Sequence, residues 1–269
     1  MPVKATRPMI ILSRHAERGG SGSRSDHSLS MMPAYPRYGC VDRGVGTDQL
    51  RRMCNRAERG QTDKVLRLFK ARPGLRFNEG PMETHPGQPG TVIRIEDGER
   101  VLEQMIWGFP VRLKSKKTGK PLKPKPVNNA RFDKLGSFWK RWAVDPGNRC
   151  LIPTARYAEA VGDPGRMTET WLSVTDQPIF AWAGLWTNSD EWGAVYTGVM
   201  TDNAPELRDI HDRSPVILDS EDWETWLHAP LEELYQFDRP FPADRMTIDR
   251  TDRPWFRKAG STDAQQPLL

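Results

Sequence analysis

Residues 91–107 read TVIRIEDGERVLEQMIW, and the fold class follows from this stretch. TVIRI alternates between two faces, Asp97-Gly98 supplies a tight turn, and Val101 to Trp107 returns, so the segment predicts a β-hairpin. Outward from it, apolar runs at Cys150 to Ile152, Trp171 to Val174, Ile179 to Trp186, Ala194 to Met200 and Val216 to Leu218 predict further strands. Turns rich in Gly, Pro and Asp separate them, where a doubly wound sheet would need long helical periods. The expectation is an α+β fold, one compact domain of largely antiparallel strands with a few helices.

Two helices are expected. Val65, Leu66, Leu68 and Phe69 share a helical face, with Thr62 as N-cap and Pro73-Gly74 as the stop. Asp219 or Ser220 caps a second helix whose Trp223, Trp226 and Leu227 lie together. Residues 1–52, with GGSGSRSDHSLSMMPAYPRYG at their centre, hold no sustained period and are expected to be a disordered or mis-assigned extension. Residues 53–257 form the expected domain and 258–269 a flexible tail.

The 269 residues are 37% hydrophobic and 28% charged, with ten Trp, which suits a folded core more than a disordered chain. The apolar stretch Met9 to Leu12 is too short for a signal core or a membrane span. Three cysteines, Cys40, Cys54 and Cys150, contain no CxxC and form no disulfide framework, so a reducing compartment is expected. The five His show no HxxxH or HExxH spacing. Neither a metal nor a cofactor is expected.

The net charge of +5 is unevenly placed. Residues 1–52 hold nine Lys/Arg against four Asp/Glu, which leaves 31 of each sign in the remainder. Within that neutral remainder, Arg112 to Arg149 contains twelve Lys/Arg against Asp133 and Asp145. Its KSKKTGKPLKPKP core reads either as a solvated loop with no packed element or as a rim that tracks phosphates.

Four places carry possible chemistry. Cys54 follows Met53, and a chain begun at Met53 would expose Cys54, since an initiator Met is generally removed ahead of a small residue. A free α-amine of pKa roughly 7.7–8 beside a thiol of about 8.5 offers two nucleophiles on one carbon skeleton. An aldehyde can then be trapped as an imine and closed into a thiazolidine. In VNNARF, Asn129 and Arg131 stand at alternate positions of an extended segment, one able to orient an amine and the other to anchor a phosphate. Glu159 lies between Ala158 and Ala160, where apolar surroundings would raise its pKa and suit it to general acid or base work. His211, flanked by Asp209, Asp212 and Arg213, is either a structural histidine or, beside a nucleophile, a proton shuttle.

Six ordered blocks, MCNR (53–56), WGFP (107–110), NAR (129–131), RCLIPTARYAE (149–159), FAWAGLW (180–186) and TDNAPELRDIHDRSPVIL (201–218), together resemble the SRAP family of SOS response-associated peptidases, or abasic-site processing proteins. The match runs from Met53 to about Leu227, with a weaker tail to about Trp255. The resemblance implies curved antiparallel strands and covalent capture of abasic sites in single-stranded DNA through a thiazolidine at Cys54. Carried over by position, Asn129 orients the amine, Glu159 shuttles protons, and His211 assists ring opening and lyase-type strand cleavage. Arg56, Trp107, Arg131, Thr201 and Arg213 fall at DNA contacts, with Trp107 a stacking surface for a base. The expected partner is single-stranded DNA containing abasic sites, met by a monomer in the cytoplasm and at the nucleoid, with no membrane. Ala57, Ala158 and Ala160 replace aromatics common in the family, and Phe132, Asp133 and Lys134 depart from the residues usual after NAR.

An amide-linked Cys54 nitrogen cannot form an imine, so the chain with all upstream residues should not crosslink. Three explanations of the extension compete: a wrongly chosen upstream start, self-cleavage before Cys54, or a genuine extension on a silenced protein. Two other functions remain open. One is a cysteine peptidase acting on other proteins through Cys54, Glu159 and His211; the other is a non-catalytic single-strand binder using Arg112 to Arg149.

Overall fold

A computed structural model describes residues 55–111, 115 and 117–256. The expectations for residues 1–52, for Met53 and Cys54, and for the tail 258–269 lie outside the described residues. Strand β1 (Arg56–Arg59) leads into α1 (Thr62–Phe69), then β2 (Arg72–Pro73) and β3 (Glu83–Thr84). The predicted hairpin is β4 (Pro89–Glu96) and β5 (Glu99–Trp107), in register from Pro89↔Ile106 to Glu96↔Glu99. Its turn residues Asp97 and Gly98 have φ of 53° and 79°. Gly adopts this conformation freely and Asp tolerates it, and a two-residue turn of this kind matches the twist of the strands it joins.

A ribbon of β6 (Phe109–Val111) and β7 (Lys125–Val127) comes next, followed by β8 (Asn129–Arg131) and α2 (Lys140–Ala143). The Lys- and Pro-rich run is therefore partly strand, where composition predicts an unpacked loop: its return leg pairs with Phe109–Val111. The long strands follow: β9 (Arg149–Val161), β10 (Thr168–Val174), β11 (Phe180–Ser189) and β12 (Gly193–Asp202). The chain ends through β13 (Arg213–Pro215), β14 (Ile217–Leu218), α3 (Trp223–His228), α4 (Leu231–Leu234) and β15 (Met246–Pro254). The α+β fold is as expected, a mostly antiparallel sheet with few helices. Among the described residues, parallel pairing is confined to β12 with β5 and β8, and β2 with β5.

Strand β9 is the hub. Its first half pairs with β11, from Arg149↔Leu185 to Thr154↔Phe180, and meets β4 at Leu151↔Ile93. From Thr154 onward it pairs with β1, and from Tyr157 with β10. Neighbouring strands twist by about 20°, so a strand that exchanges partners midway bends the sheet around itself. Side chains alternate accordingly: Leu151 enters one apolar cluster with Ile93, Phe132 and Trp226, while Cys150 and Ile152 enter a second with Trp107, Trp182 and Tyr196. Helices α1, α3 and α4 contribute Val65, Phe69, Trp223, Trp226, Leu231 and Leu234 to the first cluster. The second is closed by aromatic packing. A side chain at Gly198 would set its Cβ 2.0 Å from Trp182 Cζ2; glycine lets that indole lie against β12 and donate to the Val199 carbonyl at 2.8 Å.

Local signals at the helix ends differ from the sequence reading. Gln61, not Thr62, is the N-cap of α1, and the helix ends at Lys70 with φ 50°, before Pro73 is reached. Thr62 Oγ1 instead accepts from Arg59 and donates to Glu79. Asp219 does not cap α3; its carboxylate accepts two hydrogen bonds from Arg245, at 2.9 and 2.8 Å, and one from Gln177 at 2.7 Å. Both residues found longer-range partners. Strand β15, paired with β10, has no counterpart in the sequence reading because its run MTIDRTDRP is largely polar and exposed. No helix among the described residues is long and apolar enough to cross a membrane.

Arg149 opens β9 fully buried and without a carboxylate in contact. Its guanidinium donates to the Ala143 carbonyl at 3.0 and 2.8 Å, to Trp226 O at 3.1 Å and to Ala229 O at 2.5 Å. These are orphan carbonyls at the C-termini of α2 and α3, where a cation is favoured. Burial pushes the guanidinium down to about 10, still charged at neutral pH. Arg149→Met, which keeps bulk but removes the donors, should destabilise the protein by about 3 kcal/mol in urea unfolding at pH 7. A loss below about 1 kcal/mol would show that these carbonyls do not need the cation.

Candidate active site

The ladder between β1 and β9 pairs Arg56 with Ala158 and Ala57 with Tyr157. Asn55, the first described residue, precedes this ladder directly. Asn55 is held from the other side: its Oδ1 accepts from Asn128 Nδ2 at 3.0 Å. The Asn128 carbonyl in turn accepts from Trp107 Nε1 at 2.8 Å and from the Gly198 N–H at 3.1 Å. Asn128 thus ties the start of β1 to β5, β8 and β12. Sequence reasoning passed over it, although it stands inside the quoted VNNARF block.

Strand β8 lies parallel to β12 with Asn129 opposite Gly198. Ala130 belongs to the first apolar cluster, so its neighbours Asn129 and Arg131 are directed to the opposite face. Asn129 is buried there, and Arg131 is exposed. Glu159 shares a face of β9 with Tyr157, a member of the second cluster, and Val161, packed against it. It is 4% exposed, and its Oε1 has no hydrogen-bond partner among the described residues. Burial holds its carboxyl well above the usual range. A protonated acid is therefore favoured, ready to give up a proton to a reacting group and recover it.

His211 lies between β12 and β13, in a loop whose Leu207 and Ile210 pack into the second cluster. Asn203, also unremarked in the sequence, shapes this loop by donating to the carbonyls of Leu207 at 3.2 Å and His211 at 2.9 Å. The His211 Nδ1 accepts from the Arg213 N–H at 2.9 Å, and the Arg213 carbonyl stands 3.0 Å from the same nitrogen. Either protonation state of Nδ1 has a partner, which suits a residue that takes up and releases protons. Asn129 thus stands on the side of β8 away from the first apolar cluster, Glu159 on the side of β9 that carries Tyr157, and His211 in the loop anchored by Leu207 and Ile210. Cys54 lies outside the described residues.

The residues expected at DNA contacts divide. Arg56 pairs with Glu169 and, at 3.3 Å, with Glu83, and lies over the Trp255 ring at 4.6 Å. Trp107 is 1% exposed, with Tyr196 stacked at 6.2 Å and the Trp182 edge at 5.9 Å. A ring so enclosed packs the fold and offers no face for a base. Thr201 is buried and donates to Asp238 at 2.7 Å. Arg131 is on the surface but forked onto Asp133 at 2.8 and 2.7 Å, which holds that carboxyl low. Arg213 is half-buried, and no ion pair among the described residues engages its guanidinium. Among the described residues no group of three His, Cys, Asp or Glu is placed to hold a metal.

Comparison with known proteins gives a consistent picture. The model of the family described as SOS response associated peptidase (SRAP) matches residues 53–253. The chain is 31% identical over 176 residues to "Abasic site processing protein YoqW" of Bacillus subtilis (strain 168), covering 60% of this chain and 74% of that one. It is 31% identical over 173 residues to "Abasic site processing protein YobE" of the same organism, covering 60% and 75%. Among solved structures, a Bordetella bronchiseptica protein superposes with a TM-score of 0.61 at 25% identity, covering 74% of this chain and 99% of that one. A Bacteroides thetaiotaomicron protein superposes with a TM-score of 0.58 at 19% identity, covering 73% and 91%, and likewise shares the fold.

The buried carboxyl gives a pH signature. Because the folded pKa of Glu159 is raised, its stabilising contribution is complete below the unfolded value, about 4.3, and is lost as pH rises toward the folded value. Glu159→Gln should therefore equal the parent protein at pH 4 and exceed it in stability at pH 8, as read from urea midpoints. A variant less stable at both pH values would show that the carboxyl is held by a charge partner instead.

Proposed function

The chain belongs to the SOS response associated peptidase family, and from that premise we propose that it captures abasic sites in single-stranded DNA as a covalent thiazolidine on Cys54. The ring-opened sugar presents an aldehyde. The Cys54 α-amine adds to its carbonyl carbon, and the resulting carbinolamine loses water to give an imine. The Cys54 thiolate then adds to the imine carbon, the nitrogen takes up a proton, and a five-membered ring closes. Glu159 gives a proton to the departing hydroxyl and recovers it for the reverse step, work worth about 10²-fold or more in rate. Asn129 orients the amine, and His211 exchanges protons during ring opening and any accompanying strand cleavage.

The observation that carries this reading is the hydrogen bond from Asn128 to Asn55, which draws the residue after Cys54 toward the strand bearing Asn129. The reactive form begins at Cys54. That end arises by removal of an initiator Met53, or by attack of the Cys54 thiol on the Met53 carbonyl. In the second route a thioester forms as the amide nitrogen takes a proton and leaves, and water then hydrolyses the thioester. Such a protein works as a monomer in the cytoplasm, at the nucleoid when engaged.

A chain beginning at Cys54 should form a denaturation-resistant adduct with an abasic single-stranded oligonucleotide, and Cys54→Ala should form none. Glu159→Gln should slow adduct formation by about 10²-fold. Equal adduct from Cys54→Ala, or adduct from protein whose intact mass retains all upstream residues, would reject the thiazolidine.

A further inference from the structure

Charge on this protein is mostly neutralised locally. Arg56, Arg94, Arg156 and Arg245 each meet a carboxylate. The ribbon formed by β6 and β7 departs from that pattern. No Asp or Glu occurs from residue 112 to residue 132. Lys117, Lys120, Lys123 and Lys125 are all exposed, and none of the four forms an ion pair or side-chain hydrogen bond among the described residues.

The described backbone that carries them is hydrogen-bonded across a turn. Ser115 N–H donates to the Lys120 carbonyl and Gly119 N–H to the Ser115 carbonyl, both at 2.8 Å, and Gly119 takes φ 66° to close the turn. Pro121, Pro124 and Pro126 then fix φ along the return leg. In so extended a chain, residues three apart are separated by about 9 Å. Lys120, Lys123 and Lys125 are thus spaced along the return leg, as a chain of successive phosphates requires, with Lys117 at the turn that begins it.

Both roots of the ribbon are also residues of the candidate site. Trp107 stands two residues before β6, Asn128 follows β7 directly, and the 2.8 Å bond between them closes the base. We propose that this ribbon is an arm that follows the phosphates of the DNA strand flanking the captured nucleotide. The assignment deepens the function proposed above and takes its choice of single strand from that reading.

The test is a fluorescence-anisotropy titration of the full chain with a lesion-free single strand of about 20 nucleotides at several salt concentrations. The comparison is with a variant carrying Lys→Ala at positions 117, 120, 123 and 125. Each phosphate contact adds about 0.7 to the slope of log affinity against log salt on a single strand. The variant's slope should be shallower by about 3, and its affinity near 0.1 M salt lower by about 10²-fold. Lys→Arg at the same four positions should keep the parent slope. An unchanged slope in the alanine variant would overturn the arm, as would a larger loss on duplex than on single strand. Binding to phosphatidylserine vesicles that the oligonucleotide fails to displace would also overturn it. Because this strand contains no abasic site, the arm and the covalent reaction fail separately: an adduct without a slope change removes only the arm, and a slope change without an adduct removes only the crosslink.

Discussion

One strand of thirteen residues, β9, keeps two successive sets of neighbours, and the exchange at Thr154 bends everything hydrogen-bonded to it. Its first half runs between β11 and β4, its second between β1 and β10. The two ends of this strand handle buried ionisable groups in opposite ways. Arg149 is surrounded by the carbonyls of Ala143, Trp226 and Ala229, so its charge is retained and pins two helices to the sheet. Glu159 has an oxygen that meets no donor among the described residues, so its charge is suppressed. A satisfied cation adds stability, whereas an unsolvated acid stores a proton. The same strand therefore carries both a structural pin and a buried carboxyl whose burial favours the protonated form.

Asparagine side chains tie together the segments around the candidate site. An amide offers donor and acceptor together without a charge to desolvate. Asn128 uses its side chain for Asn55 and its carbonyl for Trp107 and Gly198; Asn203 fastens both ends of the turn that precedes His211. Arginines, by contrast, are mostly matched to carboxylates, and Arg56 is the clearest instance, buried against Glu169 beneath Trp255. Among the described residues, Lys117, Lys120, Lys123 and Lys125 on the β6–β7 ribbon have no such match. The division separates groups that hold the fold from groups left for a polyanion.

The hairpin over residues 89–107 was legible because its information is local: alternation fixes the faces, and Asp97-Gly98 fixes the turn. The strands β9 to β12 were legible as apolar runs, though each extends beyond the apolar core into polar residues that pair only because a neighbour is present. Helix α1 was located but its ends were not. Thr62 and Asp219 look like caps in sequence, yet Arg59 three residues back, Glu79 and Arg245 offer them stronger, charge-assisted partners. Strand β15 was invisible because an exposed edge strand needs no apolar face.

Order and spacing of six short blocks determined the family, and apolar runs determined most of the strand content, because each depends on residue identity along the chain. Only the tertiary structure decided how those residues are used. It enclosed Trp107 between Tyr196 and Trp182, gave Arg56 and Thr201 partners inside the fold, and buried Asn129 and Glu159. Burial and ion pairing are relations between segments more than a hundred residues apart, as Arg56 and Glu169 are, and no local pattern encodes which carboxylate an arginine will meet once the chain has closed.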